Sequence, residues 1–147
     1  MKSEVVIVGG GPGGAATALH LLERGLKPLI VEKEAFPRYH IGESLTGECG
    51  ACLKRAGLED FLVKERFPVK HGVKVYGTGG RNAFWVQVQQ RLPDGRLKPQ
   101  TTWSLRRSAF DEALLDLAVR RGARHLRGED CLARRSQWEF GCVCGLL

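Results

Sequence analysis

Ten residues near the N-terminus limit this chain more than any other part of it: Val5-Val6-Ile7-Val8-Gly9-Gly10-Gly11-Pro12-Gly13-Gly14. Four consecutive β-branched residues without polar alternation predict a strand buried on both faces, as central parallel strands are. Gly9, Gly11 and Gly14 then fit G-x-G-x-x-G. The first glycine allows a tight turn, the second lets backbone approach a diphosphate, and the third lets a helix lie close to the strand. Ala15, Ala16, Ala18, Leu19 and Leu22 supply that helix with an apolar face, and Gly25 followed by Pro28 stops it. A diphosphate at such a turn meets unpaired N–H groups and the positive end of the helix dipole.

A second strand follows at once in Leu29-Ile30-Val31-Glu32. Glu32 stands 18 residues after Gly14 and ends that strand. A carboxylate there accepts hydrogen bonds from both hydroxyls of an adenosine ribose and repels a 2′-phosphate, which argues against NADP. Strand, glycine turn, helix, strand and acid in this order carry far more weight than a glycine fingerprint alone.

Length sets a second bound. A chain of 147 residues builds one ordinary domain with a core, yet is short for an enzyme needing both a dinucleotide half and a substrate half. No apolar run approaches the roughly 20 residues needed to span a bilayer, and Met1-Lys2-Ser3-Glu4 leads into the first strand without a signal pattern, so a cytoplasmic location is expected. The net charge of +7 raises the question of nucleic acid. Its arginines are interspersed with acids, and between Arg106 and Arg135 stand Asp111, Glu112, Asp116, Glu129 and Asp130, so a mixed solvated surface is the better reading. Five cysteines, an odd number without a secretion signal, argue against structural disulfides. Cys49-x-x-Cys52 and Cys142-x-Cys144 have the spacing of a redox pair or half a zinc site. The first lies inside a helical pattern without the flanks of a redox motif, so no metal is expected.

Beyond Glu32, Pro37 and Gly42 mark a loop, and a helix is expected to start near Glu43 or Ser44 and end at Gly57, with a shorter one over Glu59 to Glu65. Arg38, one loop beyond the ribose acid, can reach back to the diphosphate, and Ser44 is either a plain N-cap or a ligand contact. From Val69 the period changes to two. Val73 and Val75, then Phe84, Val86 and Val88, then Thr101 to Leu105, predict three half-buried antiparallel strands, with Pro93-Asp94-Gly95-Arg96 as a turn. Ser108 is expected to cap an amphipathic helix with Asp111 and Glu112 in its first turn, Phe110, Leu114, Leu117 and Ala118 on one face, and Gly122 at its end. Arg107 before it either projects towards a bound diphosphate or is simply solvated or salt-bridged. Gly122 to Gly128 turns into a strand that rejoins the parallel sheet. Residues 129–147 show no clean periodicity and are expected to be an atypical tail left by truncation, through a shifted reading frame for example.

The expected architecture is therefore α/β: a Rossmann-like βαβ unit within residues 1–128, carrying a small antiparallel sheet inserted at about 69–105. The ordered motifs resemble the flavin-dependent monooxygenase superfamily of the p-hydroxybenzoate hydroxylase type, and within it the FAD-dependent halogenase and geranylgeranyl-reductase-like branch. The residues that carry this are Val6 to Gly14, Val31-Glu32-Lys33, Phe36-Pro37-Arg38, Ile41-Gly42-Glu43-Ser44-Leu45, and Arg107-Ser108-Ala109-Phe110-Asp111 with Leu114-Leu115. Gly-Glu-Ser-Leu discriminates most, since many NAD enzymes share the glycine turn. The resemblance implies FAD as cofactor, with Gly9 and Gly11-Pro12-Gly13-Gly14 at its diphosphate and Glu32 and Lys33 at its adenosine ribose. It further implies Arg38 and Arg107 beside the cofactor and Ser44 near the isoalloxazine. It also implies a flavin reductase or NAD(P)H as electron source and a small-molecule substrate.

Several departures accompany it. Thr46-Gly47 stands where halogenases place a proline, and their Trp-x-Trp-x-Ile-Pro signature, catalytic lysine and later Gly-Asp segment have no counterpart, so no catalytic residue is assigned. The expected function is the N-terminal FAD-binding part of a flavin-dependent oxidoreductase. The alternatives are a non-catalytic dinucleotide-binding fragment or remnant, and an NAD-linked reductase.

Overall fold

The computed structural model describes residues 3–127; the tail expected over 129–147 lies outside them. In chain order the elements are β1 (Val6–Val8), α1 (Pro12–Leu22), β2 (Leu29–Glu32), α2 (Gly47–Arg55), α3 (Glu59–Lys64), β3 (Val69–Lys70), β4 (Gly72–Val75), β5 (Phe84–Gln87), β6 (Gln89–Arg91), β7 (Leu97–Pro99), β8 (Thr102–Trp103), α4 (Arg107–Arg120) and β9 (Arg124–Arg127). They divide into two compact units, one of residues 3–40 with 107–127 and one of Ile41–Arg106.

The first unit is the expected βαβ arrangement. A parallel sheet of order β1-β2-β9 pairs Val6 with Leu29 and Ile7 with Ile30, then Ile30 with His125 and Glu32 with Arg127. Central β2 is buried at all four positions. Ile30 has no exposed surface, while Leu29 and Val31 cluster with Val6 and Leu126 on the opposite face. Helix α1 buries Ala15, Ala18 and Leu19, and packs against α4, which buries Phe110, Leu114, Leu115 and Ala118. Leu115 thus takes the buried place expected of Leu117. Both helices end as the glycines foretold. Leu26 N–H donates to the Leu21 carbonyl and Ala123 N–H to Ala118, the six-residue closure of a helix whose next residue is left-handed, as Gly25 is at φ +78°.

Two expectations are corrected here. The run Val5 to Val8 is not buried on both faces: Val8 is 76% exposed. Among the described residues β1 pairs only with β2, so the run forms a sheet edge. Ser108 does not cap α4, which begins one residue earlier at Arg107. An ion pair from Arg107 to Asp111, one helical turn on, holds Arg107 inside the helix and leaves Asp111 in the second turn.

The second unit holds α2, α3 and the antiparallel strands. Helix α2 starts at Gly47, later than expected, because Ser44 is drawn into an extended bridge with Ser104 and Leu45 N–H donates to the Trp103 carbonyl. Thr46 caps instead, its hydroxyl accepting from Cys49 N–H. The inserted antiparallel structure is divided into three two-stranded ladders, β3 with β8, β4 with β5 and β6 with β7. The Pro93 to Arg96 turn closes β6 onto β7, which leaves Thr102–Trp103 to pair with Val69–Lys70. Leu53, Leu58, Leu62, Phe67, Val88, Trp103 and Leu105 form the core of this unit. The half-burial expected of β4 and β5 fails. Val73, Val75, Phe84 and Val86 share one face by their register, yet all four stay exposed, Phe84 at 58%. A lone hairpin has no second layer of its own to cover that face.

Candidate functional site: a glycine turn closed by a buried carboxylate

At the carboxyl end of β1 the chain turns through Gly9, whose φ of +102° is open to glycine and strained for other residues. Gly9 N–H donates to the Val31 carbonyl at 2.8 Å, so the turn leaves directly from the sheet. A Cβ on Gly14 would run into the Gly9 carbonyl oxygen and lie 3.2 Å from Ile7, which explains the third glycine of the motif as close helix-to-strand packing. A Cβ on Gly13 would meet nothing within 4 Å. Pro12 occupies the first helical position, and Gly11, the N-cap, offers no side chain to the N–H groups of that first turn.

Glu32 lies across from this turn on the neighbouring strand and is 5% exposed. Its Oε2 accepts from Gly10 N–H at 2.8 Å and its Oε1 from Glu34 N–H at 2.9 Å. Burial alone pushes the carboxyl up; the N–H groups of Glu34 and Gly10, the charge of Arg38 and the N–H of Lys33 outweigh it and hold the group below its ordinary value of 4.5. Glu32 is therefore an anion at neutral pH, fixed against the glycine turn.

Arg38 completes the cluster. Its guanidinium lies 3.4 Å from the Glu32 carboxylate, 3.1 Å from that of Glu34, and 4.9 Å from the centre of the Phe36 ring. Its Nη2 would stand 3.3 Å from a Cβ on Gly11, so the guanidinium lies close over the turn. Arg38 Nε is buried without a partner, a donor whose desolvation is not offset within the protein. An uncapped helix start, a carboxylate and an arginine with a donor to spare make a polar cradle suited to a dinucleotide's diphosphate and ribose.

The fold thus brings Gly9, Gly11, Pro12, Gly13, Gly14, Glu32 and Arg38 together. Lys33 is next to Glu32 in sequence and exposed. Arg107 donates from Nε and Nη2 to the two oxygens of Asp111, at 2.7 and 2.9 Å. Arg107 is therefore salt-bridged to Asp111. Ser44 belongs to the second unit, where its hydroxyl accepts from Lys70 Nζ at 2.8 Å while the same ammonium donates to the Leu45 carbonyl at 3.0 Å. Sequence reasoning missed Asp111 as the partner of Arg107, although its four-residue spacing was a usable signal. It also missed Glu34 as a partner of Arg38, and Lys70, which no local pattern ties to Ser44. Cys49 and Cys52 are free and exposed, and Cys142 and Cys144 lie outside the described residues.

Comparison with known proteins supplies the family. The model of a family described as an FAD binding domain matches residues 2–137, and the chain belongs to that family. The 1H-pyrrole-2-carbonyl-(peptidyl-carrier protein) brominase of Pseudoalteromonas luteoviolacea (strain 2ta16) is 38% identical over 125 residues, which are 85% of this chain and 28% of the relative. A solved structure of the flavin-dependent brominase Bmp2 superposes with a TM-score of 0.75 at 37% identity, over 84% of this chain and 29% of that one. A geranylgeranyl bacteriochlorophyll reductase-like protein of Thermoplasma acidophilum gives 0.63 at 26% identity, over 85% and 30%. The resemblance read from the motifs, the Rossmann-like α/β class and FAD as the cofactor are borne out. The chain spans less than a third of the length of these relatives. Among the described residues no helix is long and apolar enough to cross a membrane.

Proposed function

We propose that the chain is the cofactor-anchoring part of a flavin-dependent oxidoreductase of the halogenase or monooxygenase type. Gly9 and Gly11 to Gly14 would take the FAD diphosphate, Glu32 the adenosine ribose, and Arg38 the diphosphate or ribose from the side. The observation that carries this is the Glu32 carboxylate bonded to Gly10 N–H at 2.8 Å, which ties the ribose acid to the phosphate turn. Bound FAD supplies two-electron redox chemistry and reactivity of its reduced form toward oxygen. The residues of this chain bind and orient it. Glu32, held ionised, accepts from hydroxyls and disfavours a 2′-phosphate; Arg38 brings a charge-assisted donor; the turn presents backbone N–H groups.

Electrons would come from a flavin reductase or from NAD(P)H, and the substrate would be a small molecule. By the resemblance to the family, Lys33 would lie beside the ribose acid and Ser44 near the isoalloxazine. Equilibrium dialysis of the purified full chain against FAD, NAD and NADP tests this reading. One FAD retained per chain, with neither nicotinamide dinucleotide competing, is the expected outcome. Retention of NADP in preference to FAD, or of no dinucleotide by a folded chain, overturns it.

A further inference from the structure

We propose that Asp111 is a positioning residue for the cofactor site, holding the Arg107 guanidinium in one plane where α4 projects past the glycine turn. The inference deepens the FAD reading above and rests on it. Helix α4 leads into β9, which runs parallel to β2, so α4 travels against the strands and begins at the edge where the glycine turn lies. A Cβ on Gly10 would meet Glu32 at 3.1 Å and the Leu115 side chain of α4 at 3.4 Å, so α4 passes close to the turn. Arg107 precedes Leu115 by eight residues, which at 1.5 Å per residue is about 12 Å further along the helix axis, beyond the turn on the ligand side.

The partner of that arginine is unusual for an ion pair within one helix. Asp111 has no exposed surface, and the Arg107 side chain is 16% exposed, whereas helical pairs of this spacing ordinarily sit in water. A buried ion pair recovers little net stability, because desolvation consumes most of its Coulombic gain. What two parallel N–H to oxygen bonds at 2.7 and 2.9 Å do supply is orientation, since they fix the guanidinium against rotation about its last bond. A planar cation fixed in this way, on the helix that begins at the sheet edge where the glycine turn lies, suits an anionic diphosphate.

The test compares Asp111→Asn, Arg107→Met, Arg107→Lys and the double variant Asp111→Asn with Arg107→Met, in the full chain. Affinities for FAD and for ADP are read by calorimetry, with thermal unfolding alongside. Each single substitution is expected to weaken both ligands about tenfold, the size of one charge-assisted hydrogen bond. The double variant is expected to be no weaker than Arg107→Met alone, because Asp111 acts through Arg107. Arg107→Lys keeps the charge but not the two-pronged hold, so it too should lose affinity; it stands in if Asp111→Asn does not fold. Wild-type affinity in Arg107→Lys overturns the proposal while leaving the FAD site intact. So does a folded Asp111→Asn that is less stable yet binds both ligands normally, or additive losses in the double variant. Failure of the wild-type chain to bind FAD or ADP instead removes the FAD reading itself.

Discussion

Strands β2 and β5 are four residues each and equally apolar to the eye, Leu29-Ile30-Val31-Glu32 against Phe84-Trp85-Val86-Gln87, yet every residue of the first is buried and every residue of the second is exposed. The first is flanked by β1 and β9 and belongs to the unit in which α1 packs on α4; the second has, among the described residues, one partner, β4, in a hairpin. Burial is thus a property of the layers around a strand, and the strand's own residues only permit it. The same contrast separates their terminal polar residues. Glu32 closes a site because its surroundings are dry and rich in N–H donors, whereas the ends of β5 face water.

Substitutions that read backbone crowding and burial directly sharpen this contrast most. Gly14→Ala puts a methyl group into the Gly9 carbonyl, with backbone on both sides, and should cost about 3 kcal/mol or more in thermal or chemical unfolding. Gly13→Ala, one residue away with open space, should be neutral or stabilising by about 0.5–1 kcal/mol in the ligand-free chain. Equal costs at the two positions would break the assignment of Gly14 as the packing glycine. Ile30→Ala should cost about 2–5 kcal/mol, while Phe84→Ser should change stability by no more than about 0.5 kcal/mol. A large loss at Phe84 would mean that the hairpin face is covered in solution.

Smaller effects follow from titration. The Glu32 carboxyl is depressed in the folded chain, so its contribution to stability is present above about 4.5 and lost as pH falls through the lower folded value. Glu32→Gln should flatten that acid limb of a pH–stability curve. His125 on β9 is also depressed, by burial first and by the charge of Arg127, with Glu32 and Asp116 opposing. The unfolded chain takes up this proton near 6.5 and the folded chain only at lower pH, so stability should decline as pH drops below about 6.5. His125→Leu should remove that slope; an unchanged slope would mean that the ring is solvated.

The glycine turn was legible because Gly9 needs a left-handed φ and Gly14 leaves no room for a side chain, and Glu32 because the second strand fixes its distance from the turn. Helix ends at Gly25, Gly57 and Gly122 were legible for the same reason: a left-handed residue after the helix has a short list of candidates. What escaped depends on contacts distant in sequence. The helix start moved from Ser44 to Gly47 because Ser104, from a strand far along the chain, bridges Ser44. The period-two runs located β4, β5 and β8 but not the short β3, β6 and β7 that pair around them, nor any partner, since alternation is silent on which of several edges a strand will join. Asp111 was taken as a residue of the helix's first turn, and its burial against Arg107 comes from packing that no single helix pattern encodes.

The most direct measurement is the FAD affinity of Glu32→Gln against the unaltered chain, by flavin fluorescence titration with folding checked by circular dichroism. The substituted amide keeps the size of the side chain and one acceptor for Gly10 N–H, but loses the anion that grips the ribose hydroxyls and balances Arg38. A folded variant that binds FAD about ten- to a hundredfold more weakly is expected, from the loss of one or two charge-assisted hydrogen bonds. A folded variant that binds FAD as tightly as the unaltered chain would contradict the placement of the cofactor's ribose at Glu32, and with it the glycine turn as the diphosphate site.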